Sequence, residues 1–215
     1  MKTGSAMERK GGRECVQELG SWARQHDWSY AEEGGHLRGS YGGPPFLSEG
    51  AGTYRHVLTG EHRGWSVLAF EYSYPNIHAE SLPRTWDFQV VTVRIPQVPR
   101  LEATDARLTD MLLDLVGASQ HSRTGDRQFD QIFRVRTDDH EFARQVLRPE
   151  TRRWMIRDPR TLDTPFRFAE ESLLTWQNRV LDPSSALERA DFLIDLLERT
   201  PADVLGEDPS GPPAD

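Results

Sequence analysis

The chain has 215 residues, 36% hydrophobic and 28% charged, with a formal net charge of −8. That is enough apolar material for a core of ordinary domain size, and the acidic balance argues against a whole-protein binder of nucleic acid or anionic membrane, which needs a basic surface. The single cysteine, Cys15, excludes an intramolecular disulfide and a cysteine-rich zinc site.

Only Lys2 and Lys10 among the 26 basic residues are lysine, a bias that a GC-rich genome accounts for. Residues 1–12 carry no apolar stretch of the kind a secretory signal needs, and no run approaches the roughly 20 apolar residues of a membrane span. The expectation is a soluble, cytoplasmic protein with no membrane association.

Residues 1–12 are expected to be a disordered leader. From Arg13 to His26, Cys15, Leu19, Trp22 and His26 recur at helical spacing. Gly34–Gly52, rich in glycine and holding Pro44-Pro45, predicts a long surface loop. Val57–Tyr74 predicts a hairpin with its turn at Glu61-His62-Arg63-Gly64, and Trp86–Ile95 a further strand, because both are rich in β-branched and aromatic residues. Along the first, Leu68, Phe70, Tyr72 and Tyr74 share one face, with Trp65, Val67 and Ala69 on the other.

Pro96 and Pro99 are expected to end the second strand, and Thr104 to cap a helix from Asp105 to Val116. The alternation of Phe129, Gln131, Phe133 and Val135 predicts a strand. Asp138 and Glu141 form a capping-box pattern before a helix Glu141–Leu147, and Pro149 opens a second short helix. Phe166–Ala169 and Leu173–Asn178 predict another hairpin. Asp182 followed by Pro183 opens a last helix with Leu187, Ala190, Leu193, Ile194 and Leu197 inward. Residues 206–215 read as a disordered acidic tail. With strands joined mostly by hairpins, the fold class is α+β: a mainly antiparallel mixed sheet of about six strands packed by N-terminal, central and C-terminal helices, in a single domain over residues 13–205.

Gly43-Pro44-Pro45-Phe46, His56-Val57-Leu58-Thr59-Gly60, His62-Arg63-Gly64, Ala69–Tyr74, Phe133–Arg136, Val146-Leu147-Arg148-Pro149 and Leu174-Thr175-Trp176 together resemble an actinobacterial protein family with no assigned activity. The resemblance spans roughly residues 20 to 205 and implies one co-folded unit, without a catalytic residue to carry over.

The chemistry-bearing patterns each have a bland counterpart. Gly50-Ala51-Gly52 continues as Thr53-Tyr54-Arg55 and fails the dinucleotide glycine pattern. His56 and His62 flank the predicted turn, yet no third ligand stands at diagnostic spacing, and no metal site is expected. Asp138-Asp139-His140-Glu141 is acidic enough for a cation, but capping explains it. Cys15 lies beside an apolar stripe and reads as structural. Between Ala143 and Arg160 six arginines face two carboxylates, a local charge of +4. Arg144, Arg148, Arg152, Arg153 and Arg157 with Trp154 therefore form a candidate anion or partner patch. Trp65, Phe70, Tyr72, Tyr74, Trp86 and Phe88 are the candidate lining of a ligand pocket on the sheet.

The preferred reading is a non-catalytic binding or interaction module for a protein partner or small apolar ligand, with no cofactor and no nucleic acid. The alternative is an enzyme of unrecognised type, its cleft formed by the central strands and the Gly34–Gly52 loop.

Overall fold

Thr53–His62 (β2) and Trp65–Asn76 (β3) form the expected hairpin, but it closes more tightly than the sequence suggested. His62 pairs with Trp65 across a two-residue turn, Arg63-Gly64, whose φ values of 52° and 79° are both positive. Glycine adopts such a conformation freely, and turns of this hand match the right-handed twist of the strands. The computed structural model describes residues 4–46, 52–76, 84–106, 122–162 and 164–206. Its six strands form an antiparallel sheet of order β1-β2-β3-β4-β5, with β6 paired to β4. Fold class α+β is therefore established. No helix among the described residues is long and apolar enough to cross a membrane.

The chain divides into two compact units, Met1–Val90 with Asn178–Leu187, and Val91–Gln177 with Glu188–Asp215. In the first, helix α1 (Gly4–Gln25) begins well before the amphipathic stretch and buries Leu19 and Ala23. Strand β1 (Ser29–Glu33) then lies antiparallel to β2, and β3 follows on its other side. Gly60 comes so close to Trp28 that a Cβ there would fall 2.4 Å from the indole. Within the expected loop over residues 34–52, Gly35–Leu37 makes a 3₁₀ turn, and Leu37 and Phe46 are buried while Gly35, His36 and Arg38–Ser40 are exposed. The glycines let the backbone turn, while the two apolar side chains anchor it to the strands. Residues 47–51 lie outside the described residues.

Strand β4 (Arg84–Asp105) runs on through Pro96 and Pro99, which were expected to stop it. Its ladder with β5 (Phe133–Thr137) involves only Leu101 to Asp105, beyond both prolines. Proline is tolerated in a strand where its nitrogen is not needed as a ladder donor. Thr104 and Asp105 are thereby strand residues rather than a cap, and most of the expected helix lies outside the described residues.

In the second unit the predicted strand from Phe129 begins as a helix, α2 (Arg127–Ile132). Asp126 Oδ1 accepts from the backbone N–H groups of Gln128 and Phe129, which initiates helix before the alternation can act. Phe129 and Phe133 then stack with centroids 4.7 Å apart. Helix α3 (His140–Val146) is capped by Asp139, not Asp138: its Oδ1 accepts from Glu141 and Phe142 at 2.9 Å each. Helix α4 (Pro149–Arg157) follows as expected. Phe166–Asn178 is one strand, β6, rather than a hairpin; Glu170 takes a φ of 53° in mid-strand and Glu170 and Glu171 turn to solvent. Helix α5 (Pro183–Arg199) opens at Asp182, whose Oδ1 accepts from Ser185 N at 2.7 Å. Phe192 and Leu196 join its buried stripe, while Leu187 is only half-buried. A last turn, α6 (Ala202–Leu205), closes the described chain.

Candidate functional site

Strand alternation places Phe70, Tyr72 and Tyr74 of β3 on one face. Tyr54 of β2 stands opposite Tyr72, ring centroids 5.0 Å apart. Tyr74 meets Phe88 of β4 at 5.9 Å, and Phe88 meets Trp86 at 6.5 Å. From the glycine-rich loop, Phe46 approaches Tyr72 at 4.9 Å and Tyr41 approaches Phe70 at 5.4 Å. The outcome is an unbroken run of ring contacts from Tyr41 to Trp86, each pair worth about 0.5–1.5 kcal/mol beyond its buried area. Its middle is fully buried, Tyr41 is half-buried, and Trp86 at 36% is one of three exposed large apolar residues among those described. Gly52 lies flat on Tyr72, where a Cβ would fall 2.1 Å from the ring.

Five of the six proposed pocket residues therefore come together. Trp65 sits at the hairpin end on the opposite face and makes no ring contact among the described residues. Sequence reasoning missed Tyr41, Phe46 and Tyr54, because their place depends on how the glycine-rich loop folds back. Burial pushes the Tyr54 hydroxyl up to about 12, helped by Tyr72 and Tyr41, and raises Tyr74 likewise. These phenols stay neutral and can give or accept a hydrogen bond within an apolar surface.

The other face of the unit-1 strands holds a polar cluster. β2 shifts register between Arg55 and Leu58, and His56 sits in this bulge with a φ of 53° and 5% exposure. Its Nδ1 shares a hydrogen bond of 2.8 Å with the Tyr30 hydroxyl. Burial lowers the His56 pKa, with Glu71 opposing and Arg55 assisting, and drives Tyr30 up to about 12. Cys15, half-buried, is raised by burial and then by Glu71 and Glu18. All three shifts hold the neutral forms, so Cys15 is kept from the thiolate a nucleophile requires. His56 and His62 lie six residues apart on β2, about 20 Å at ~3.3 Å per residue. Among the described residues no group of three or more His, Cys, Asp or Glu could hold a metal ion.

The arginine-rich segment is largely occupied. Arg144 pairs with Glu141, and Arg148 pairs with Glu150 and donates to the Arg199 carbonyl. Arg152 donates to Asp126 and to the Leu147 carbonyl, and Arg153 to the Pro149 carbonyl. Arg157 is exposed. Trp154 stacks on Phe192 at 5.7 Å and carries the Arg199 guanidinium 4.3 Å from its ring centre. Cations near a helix C-terminus satisfy its last carbonyls, the service that Arg148 and Arg152 perform at the Arg199 and Leu147 carbonyls.

No family model matches this chain, and no curated protein sequence matches it. A solved structure does share its fold: the crystal structure of the mycobacterial trehalose monomycolate transport factor A, TtfA. The two agree with a TM-score of 0.58 over 86% of this chain and 96% of that one, at 14% identity. At that identity the likeness is one of fold.

Proposed function

We propose that the protein is a non-catalytic binding module whose first unit holds a small apolar ligand against the aromatic run, with the Trp86 indole as its outer edge. The observation that carries this reading is the unbroken ring path from the buried Phe70–Tyr72 centre to the exposed Trp86. Such a surface offers apolar area with a few phenolic hydroxyls for orientation, the usual make-up of a ligand site. Catalysis is the weaker reading, since Cys15, Tyr30 and His56 are pushed toward their neutral forms rather than poised for proton transfer. The fold neighbour is named for transport, not for a reaction, and its mycobacterial source accords with the actinobacterial resemblance. A protein partner using the same face is the competing occupant.

The test is titration of the full chain with Nile red, a neutral apolar dye. Saturable binding that weakens several-fold in Trp86→Ala, with an unchanged melting temperature, supports the site. Absent saturation, or equal binding by both proteins, overturns it. Native mass spectrometry of protein from a bacterial host then reports any retained ligand as a discrete added mass.

A further inference from the structure

We propose that residues 35–46 form a lid over the aromatic face of the first unit, with Phe46 as a plug that an apolar ligand displaces. The inference rests on the binding reading above and deepens it. Phe70 and Tyr72, at the centre of the ring path, are both 0% exposed. A ligand therefore reaches that centre only when a covering group moves aside. Among the described residues, the rings that cover it from outside the strands are Phe46 and Tyr41. Phe46 stands over three strand rings, with centroids 4.9 Å from Tyr72, 6.2 Å from Tyr54 and 6.3 Å from Phe70. Tyr41 stacks on Phe46 at 5.2 Å and on Phe70 at 5.4 Å. Phe46 thus occupies the place of a ligand ring, buried among aromatic side chains with phenols nearby.

The segment that carries this plug differs from the strands beneath it. Its backbone donors bond close by: Leu37 N–H donates to the Gly34 carbonyl, Ser40 N–H to Leu37 and Phe46 N–H to Gly43. Gly35, His36, Arg38–Ser40 and Gly42 are exposed, and the buried Leu37 anchors the start of the segment. Gly39 and Gly43 flank Tyr41 with φ values of 84° and 72°, a conformation that glycine takes without strain. An exposed backbone with few buried apolar anchors opens at lower cost than a central strand. Segments of this kind gate access to a site, and a few residues at their ends absorb the backbone rotation. Because the closed lid hides the site, the apparent affinity for a ligand falls with the fraction of molecules that are open.

The experiment is stopped-flow mixing of the full chain with excess Nile red over a range of dye concentrations. A gated site gives an observed rate that levels off at a plateau set by the motion of the lid. Leu37→Ala, which loosens the lid without altering a ring, should raise that plateau several-fold and tighten binding. If Leu37→Ala melts well below wild type, Phe46→Leu, with a smaller plug, takes its place and should shift the plateau the same way. A rate that climbs linearly with dye, with one slope for wild type and variant, overturns the lid and leaves the binding reading standing. A plateau that neither substitution moves also overturns it. Absence of saturable dye binding in wild type and in Leu37→Ala removes the binding reading and the lid with it.

Discussion

The Tyr30 hydroxyl and His56 Nδ1 stand 2.8 Å apart where β2 bulges, so a histidine held at a positive φ inside a strand has a phenol for a partner. The bond offsets part of the cost of burying the imidazole. Tyr30→Phe should remove it without changing shape and lower stability by about 1–3 kcal/mol, the cost of an orphaned buried polar group. Urea denaturation checks this, and an unchanged midpoint would show that the pair contributes nothing.

The same histidine sets a pH dependence. Its folded pKa is lowered by burial, so the unfolded chain takes up a proton first, near pH 6.5. Its full contribution to stability is present above that pH and declines as pH falls through about 6.5 toward the folded value. His56→Asn, which tolerates the backbone conformation, should flatten the decline between pH 7.5 and 5.5. Parallel stability profiles for both proteins would assign it to other groups.

Gly52→Ala should destabilise by about 1–3 kcal/mol, because the new Cβ would fall 2.1 Å from a fully buried Tyr72 ring. Gly35→Ala is the control, since a Cβ there meets nothing within 4 Å. Melting temperatures that move equally would show the Gly52 contact to be relaxed in solution.

Asp139→Ala should cost about 0.5–2 kcal/mol through loss of the α3 cap, with Asp138→Ala close to neutral. Denaturant midpoints of the two variants decide between the two caps.

Glu102→Gln should be among the more damaging polar substitutions, about 3–5 kcal/mol, since it leaves the buried Arg167 charge without its carboxylate. A near-native midpoint would mean that Arg167 is satisfied elsewhere.

Much of the fold was legible in the chain. The β2–β3 hairpin, the Pro149 and Asp182-Pro183 helix starts, and the α+β class all rest on local signals: alternation, turn residues, caps. Where two local signals competed, reading one alone misled. Phe129 alternates like a strand residue, yet Asp126, accepting from the Gln128 and Phe129 N–H groups, had already set a helical backbone. Pro96 and Pro99 looked like stops because a single sequence does not say which edge of a strand is paired.

By itself the sequence determined the β2–β3 hairpin and the helix starts at Pro149 and at Asp182-Pro183, since these depend on neighbours a few positions away. Only the tertiary structure decided that the glycine-rich loop sends Phe46 and Tyr41 onto Tyr72 and Phe70, that His56 meets Tyr30, and that three arginines from three strands converge on Glu102. Those contacts join residues distant along the chain, and their energies depend on burial and register, which no local pattern encodes.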